Sequence, residues 1–125
     1  TEQHVAPADQ VIGELGGVSP STVVLDICCG TGTIGLFLAR QVHLVVGVEM
    51  CEPAIVDARS NASRNSIANT IYISGKVEDK IRDVLSHVPK SRECIAILDP
   101  PRAGLHNNVS FRNLNSSMSK FSCFL

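Results

Sequence analysis

Gly30, Gly32 and Gly35 form a G-x-G-x-x-G pattern whose residue types suit the binding of a ligand. Glycine lets the backbone turn sharply and approach a ligand closely, and a helix that begins at such a turn presents exposed backbone N–H groups. The same pattern fits a dinucleotide site, and it also fits a purely structural turn between a strand and a helix. The glycine spacing alone therefore leaves several interpretations open.

Asp26, four residues before Gly30, favours one kind of ligand. A dinucleotide pattern usually follows an apolar strand directly, whereas here an acid stands at the strand end. The carboxylate of Asp26 can accept a hydrogen bond from an ammonium group, such as that of a methionyl moiety. S-Adenosylmethionine carries that group and has no pyrophosphate, so Asp26 indicates a methyl donor rather than a dinucleotide.

Three further acids stand where an adenosine could reach them. Glu49 ends the second predicted strand, and a carboxylate at that place can accept both hydroxyls of a ribose. NAD sites use the same device, and a surface acid at a strand end is the structural alternative. Glu78 and Asp79 follow the third predicted strand, where they either face the adenine amino group or stabilise a helix N-terminus.

The segment Asp99-Pro100-Pro101-Arg102 follows the fourth predicted strand. Ligands of open α/β sheets bind at the carboxyl ends of the strands, so this segment shares a sheet edge with the glycines. Its two prolines fix the backbone and hold Asp99 and Arg102 in place. A rigid turn with a solvated arginine is the alternative to a position beside a substrate.

Short apolar runs alternate with amphipathic segments along the chain, which predicts an α/β fold with βαβ units, a parallel sheet and right-handed crossovers. The stretch from Asn107 to Leu125 is rich in Asn and Ser and has no sustained period. We therefore expect an irregular, divergent tail over residues 107–125, after a cofactor-binding domain over residues 1–106. The predicted strands are 22–27, 43–49, 70–74 and 93–98, and the predicted helices are 8–15, 33–40, 53–65 and 77–87.

Composition narrows the function classes. The chain has 125 residues, enough for one domain, and its net charge of −1 is low for a protein that binds nucleic acid mainly through phosphates. Five cysteines without a C-x-x-C pair predict reduced thiols and no metal site. No apolar run approaches the roughly 20 residues that span a bilayer. We expect no membrane partner and an intracellular protein, cytoplasmic or nuclear, with mitochondria left open; no oligomeric state is predicted.

Three segments together resemble the RNA uracil-C5 methyltransferases, and most closely their eukaryotic tRNA (uracil-5-)-methyltransferase homologues. The match extends over residues 1–109, and the segments are Asp26-x-x-Cys29-Gly30-x-Gly32, Val46-Gly-Val-Glu49 and Asp99-Pro-Pro-Arg102-Ala-Gly-Leu-His106. The resemblance implies a Rossmann-like, S-adenosylmethionine-dependent methyltransferase fold, and tRNA as the partner of the full-length parent.

The resemblance also implies roles for single residues. The residues expected to hold S-adenosylmethionine are Asp26, Cys29, Gly30, Gly32 and Glu49, with Glu78 or Asp79 at the adenine. Asp99 would border both the cofactor and the target uracil. Arg102 would orient the site or bind a phosphate.

In that family a cysteine thiolate adds to C6 of a flipped-out uridine, C5 takes the methyl group, and a base removes the C5 proton. The family's nucleophile stands in Ser-Cys-Asn-Pro after a fifth strand, whereas here Ser122-Cys123 is followed by Phe124-Leu125. The residues before Cys123 are too polar for that strand, so we do not expect Cys123 to be the nucleophile. No candidate base follows Asp99.

These departures lead us to expect an incomplete cofactor module that is inactive alone, with weak or no RNA binding and with the chain from Asn107 onward replaced. Its truncated parallel sheet would have four strands, and the fourth would be an open edge. Two other hypotheses stay open. One is an NAD-binding oxidoreductase module, and the other is a non-enzymatic interaction protein derived from a methyltransferase.

Overall fold

The structure is a computed structural model that describes residues 18–89, 93–98 and 118–123. Within these ranges, each predicted strand and helix begins and ends within one residue of its observed bounds. The predicted helix over residues 8–15 lies outside the described residues. The elements are β1 (Val23–Ile27), α1 (Thr33–Ala39), β2 (Leu44–Glu49), α2 (Glu52–Arg64), β3 (Thr70–Ser74), α3 (Val77–Ser86), β4 (Cys94–Leu98) and β5 (Met118–Cys123).

The strands form one parallel sheet in the order β3-β2-β1-β4-β5. The chain runs outward from the central strand β1 to β2 and β3, then returns to the other side of β1 with β4. Such an order places the carboxyl ends of β1 and β4 on either side of a switch in direction, where α/β sheets bind their ligands. The predicted α/β, Rossmann-like fold is confirmed.

Alternate residues of the strands face two separate layers of helices, as the two-residue period of a strand requires. One face of β1 and β2 packs against α3 through residues such as Leu25, Val46 and Val84. The opposite face packs against α1 through Val24 and Leu38. The strands are buried on both faces, which explains their nearly continuous apolar sequences. Among the described helices, none is long and apolar enough to cross a membrane.

The expectation of an irregular tail with an open edge at β4 is wrong for residues 118–123, which form the strand β5 beside β4. An edge strand pairs through its backbone on one side only, so it does not need the apolar sequence of a central strand. A register shift between Cys94 and Ile95 accompanies the pairing. The domain boundary at residue 106 stays a prediction.

Helix α2 ends in a Schellman motif, which sequence reasoning missed. The Ile67 N–H donates to the Ala62 carbonyl at 2.9 Å, and the Ser66 N–H donates to the Ser63 carbonyl at 3.1 Å. This arrangement puts Ser66 in the left-handed region, at a φ of 56°. Glycine is the usual residue there because it has no Cβ to clash with the backbone.

We predict that Ser66→Gly raises the free energy of unfolding by about 1 kcal/mol, because the exposed serine only adds strain at this position. Urea denaturation measures the change. Ser60→Gly, in the middle of α2, is the matched control and should lower the stability by a similar amount. If both substitutions lower the free energy of unfolding equally, the assignment of the cap is wrong.

Candidate functional site

The glycine-rich loop after β1 lies beside the end of β2, at the carboxyl edge of the sheet. The Cys29 N–H donates to the Val48 carbonyl at 3.0 Å, which joins the start of the loop to β2. The Gly32 N–H donates to the Cys29 carbonyl at 2.9 Å and closes a tight turn. The glycine-rich loop, predicted to bind a ligand, is therefore a compact structure held by the neighbouring strand.

Glu49 fastens this loop through its side chain. Its Oε1 accepts a hydrogen bond from the Gly30 N–H at 2.9 Å, and its Oε2 accepts one from the Cys51 N–H at 2.8 Å. Each carboxylate oxygen has a second acceptor position, so the side chain can hold the loop and still accept hydroxyl groups from a ligand. The predicted ribose contact stays a prediction, whereas the contact with Gly30 is a role that the sequence did not reveal.

The backbone of the loop alternates in and out of the left-handed region. Cys28, Gly30 and Gly32 have φ angles of 60°, 56° and 82°. Glycine adopts such angles at little cost, but Cys28 carries a Cβ that crowds the following carbonyl oxygen. Strain of this kind persists where the surrounding structure enforces it, and it is common at ligand sites.

The strain at Cys28 predicts a difference between two substitutions. Cys28→Gly and Cys28→Ala both remove the sulfur, but only glycine relieves the left-handed conformation, so we expect the glycine variant to be more stable by about 1 kcal/mol. Urea denaturation of both variants measures the difference. The same pair at Cys94, within β4, should give the opposite order, and the prediction fails if both positions favour alanine.

Asp26 lies beneath the loop, on the face of the sheet that packs against α1. Its side chain is 2% exposed. A Cβ atom added to Gly35 would lie 2.9 Å from Asp26 Oδ2 and 2.9 Å from Val45 Cγ1. Gly35 is therefore required because α1 approaches the carboxylate closely. The structure places the predicted ammonium acceptor under the loop as a buried group.

Cys29 is a packing residue whose thiol is held in the protonated form. Burial raises its pKa far above the usual range, and the nearby Asp26 and Glu49 carboxylates raise it further. Its Sγ donates weakly to the Gly30 carbonyl at 3.7 Å. A thiol with a raised pKa is a poor nucleophile, so Cys29 is not a candidate for covalent catalysis. Its predicted place at the cofactor is as part of the loop.

Glu78 and Asp79 stand in the first turn of α3, after β3 and at the same edge of the sheet. Glu78 is half-buried and Asp79 is exposed. Acids in this position stabilise a helix N-terminus, so the structural interpretation accounts for both residues. Their predicted contact with an adenine stays a prediction.

The remaining predicted residues belong to the end of the chain. Asp99 and Arg102 lie outside the described residues. The backbone of Cys123 is the last position of β5, paired with Leu98 of β4, and so lies toward the carboxyl edge of the sheet. The expectation that Cys123 is not a nucleophile stays a prediction. In the described ranges, no group of three or more His, Cys, Asp or Glu side chains is placed to hold a metal ion.

Two residues of the site escaped sequence reasoning, Gly47 in β2 and Tyr72 in β3. They are register partners, and Gly47 is also the register partner of Asp26. A Cβ atom on Gly47 would lie 2.7 Å from Tyr72 Cδ1 and 3.0 Å from Cys29 Sγ. The only signal in the sequence was a glycine inside an apolar strand, which often marks a close approach of another group.

Comparisons with known proteins identify methyltransferases as relatives of this chain. The family described as "Methyltransferase domain" matches residues 19–95. Over 99 residues the chain is 48% identical to the tRNA (uracil-5-)-methyltransferase homolog A of Homo sapiens, covering 79% of this chain and 16% of that protein. It is 42% identical over 100 residues to homolog B of Homo sapiens, covering 80% of this chain and 20% of that protein.

A solved structure with a similar fold is the Pyrococcus abyssi tRNA (uracil-54, C5)-methyltransferase in complex with S-adenosyl-L-homocysteine. It superimposes with a TM-score of 0.61 at 27% identity, over 88% of this chain and 26% of that chain. This chain thus spans about a fifth of the curated relatives that it matches, so their whole activity does not pass to it directly. The predicted resemblance to these proteins is confirmed. The matched residues, 19–95, include the strands β1 to β3 and the glycine-rich loop that follows β1. The chain therefore belongs to the methyltransferase-domain family.

Proposed function

We propose that this chain is the S-adenosylmethionine-binding part of an RNA methyltransferase that methylates C5 of a uridine in tRNA. The observation that carries the proposal is the structure of the glycine-rich loop. Glu49 accepts a hydrogen bond from the Gly30 amide at 2.9 Å, and Asp26 lies buried beneath the loop. The carboxylate of Asp26 suits the ammonium group of the cofactor, and that of Glu49 suits its ribose hydroxyls. The glycines let the backbone of the loop approach the cofactor closely. The similarity to tRNA (uracil-5-)-methyltransferase homologues supports the substrate.

The acids suit the charge of the cofactor. S-Adenosylmethionine carries an ammonium group and a sulfonium group, and it supplies the activated methyl group when bound. Asp26 is 2% exposed, so its carboxylate acts on the ammonium group as a negative charge beneath the loop, where the low dielectric strengthens the attraction. Glu49, half-buried at the end of β2, offers its two remaining acceptor positions to the ribose hydroxyls.

In the whole protein we place Asp99 and Arg102 on the side of the uridine, as the resemblance implies, and we assign neither a nucleophile nor a base within this chain. The net charge of −1 supports a division in which other parts of the protein hold the RNA. Transfer of a labelled methyl group to uridine in tRNA by this chain alone would contradict our expectation that it is inactive alone.

Calorimetric titration of the chain with S-adenosylmethionine, and separately with S-adenosylhomocysteine, tests the cofactor. We expect saturable binding of both compounds, weakened in Asp26→Ala. NAD is the control ligand, because the glycine pattern and Glu49 also suit a dinucleotide. Binding of NAD without binding of either adenosyl compound would overturn the proposal.

A further inference from the structure

The side chain of Tyr72 lies in the same row of the sheet as Asp26. Asp26, Gly47 and Tyr72 are register partners in the adjacent strands β1, β2 and β3. Residues in register in a parallel sheet point to the same face, so the two polar side chains share the layer between the sheet and the helices α1 and α2. Only Gly47, which has no side chain, stands between them.

The missing side chain of Gly47 makes room for the tyrosine ring. A Cβ atom on Gly47 would lie 2.7 Å from Cδ1 and 2.9 Å from Cε1 of Tyr72, so the ring crosses β2 at this position. The Arg59 Nη2, on α2, donates to the Tyr72 carbonyl at 3.0 Å and holds the backbone of β3 at this residue. The ring is therefore held in place at its base, with its hydroxyl directed under the glycine loop.

The hydroxyl of Tyr72 is buried beneath Gly32. Its Oη would lie 3.0 Å from a Cβ atom on Gly32, and the side chain is 6% exposed. Among the residues that the structure describes, no group forms a hydrogen bond with this oxygen. The side chain of Thr70 lowers the pKa of Tyr72 and is the weakest of the influences on it, while no described group completes a hydrogen bond with the hydroxyl oxygen. A buried donor of this kind is costly to leave without an acceptor.

The hydroxyl keeps its proton and so remains a donor. Burial, and then the nearby Cys29 and Asp26, raise the pKa of Tyr72 to about 12. Two neighbours could accept the proton in a hydrogen bond. The Cys29 sulfur is a weak acceptor, whereas the Asp26 side chain has two oxygens that can accept.

We propose that Tyr72 is a positioning residue for the cofactor, whose hydroxyl donates to the Asp26 carboxylate when the ammonium group of the ligand is bound above it. This inference rests on the proposed function. The bond orients the carboxylate under the loop, toward the ammonium group that it is proposed to bind.

Tyr72→Phe tests the proposal, because it removes only the hydroxyl. Without ligand, the variant should unfold at the same temperature as the original chain or a higher one, since a buried donor without a partner is removed. The dissociation constant for S-adenosylhomocysteine should rise on the order of tenfold. A residue with a merely structural role would lower the unfolding temperature, and that result would overturn the proposal.

A double-mutant cycle identifies the acceptor. The effect of Tyr72→Phe on the dissociation constant should vanish in the Asp26→Ala background, which has no acceptor oxygen, and persist in the Cys29→Ala background. The shift in unfolding temperature with millimolar S-adenosylhomocysteine extends the measurement to weakly binding variants. An equal effect in the Asp26→Ala background refutes the contact.

The original chain distinguishes the two proposals. If it binds neither S-adenosylmethionine nor S-adenosylhomocysteine, the proposed function fails and takes this inference with it. If it binds them and Tyr72→Phe binds them equally well, the positioning role alone is wrong.

Discussion

Glu49→Ala is expected to weaken the binding of S-adenosylhomocysteine by at least a hundredfold and to destabilise the ligand-free chain as well. The substitution removes the acceptor of both the Gly30 and the Cys51 backbone amides, which now bond at 2.9 and 2.8 Å. A hydrogen bond to a charged group contributes about 1.5–3 kcal/mol, and half-exposure lowers this for Glu49. We therefore expect a loss of about 2 kcal/mol in the free energy of unfolding, measured in urea.

Two further substitutions distinguish the hydrogen bonds of Glu49 from the mere loss of a negative charge in this region. Glu52→Ala removes an exposed acid three residues later, in the first turn of α2, and should change stability by well under about 1 kcal/mol without affecting the affinity. Glu49→Gln keeps one acceptor oxygen but turns a donor toward the other amide, so it should fall between the original chain and Glu49→Ala. Unchanged stability of Glu49→Ala would show that the loop does not depend on this carboxylate.

The fold was predictable because the burial of its central strands is reflected in the apolar residues of their sequences. TVVLDI and HLVVGVE are apolar over most of their length because both faces of β1 and β2 are covered by helices. The segment that forms β5 (MSKFSC) gave no such signal, since an edge strand pairs with one neighbour through its backbone. Its position depends on β4 and not on a local pattern.

The candidate site divides in the same way. The residue types of Asp26, Gly30 and Glu49 indicated a loop with acids around it, because each follows the end of an apolar run. Their contacts did not follow from the sequence. That Glu49 holds the Gly30 amide depends on the register of β1 and β2, and that Tyr72 reaches under the loop depends on three strands at once. Such relations are absent from local spacing.

Gly47→Ala is expected to be among the most destabilising single-methyl substitutions in this chain. The added Cβ would lie 2.7 Å from Tyr72 Cδ1, which is too close for two carbon atoms, and at a tight 3.0 Å from Cys29 Sγ. Gly47 is in β2, paired on both sides, so the backbone cannot retreat without breaking the ladders to β1 and β3. Overpacking of this kind costs about 1–3 kcal/mol and occasionally more, and we expect the upper end of that range.

The cost of the methyl group should depend on the ring that it meets. In a Tyr72→Val background the atoms beyond Cγ are gone, so Gly47→Ala should cost at least about 1 kcal/mol less than in the original chain. Urea denaturation of the four proteins gives this coupling energy. The ring also lies beneath Gly32, so a displaced Tyr72 should disturb the loop and weaken S-adenosylhomocysteine binding in Gly47→Ala. Only a direct contact between the methyl group and the ring makes the effects of the two substitutions on stability depend on each other. Additive effects would therefore mean that the methyl group clashes with Cys29 or the backbone instead.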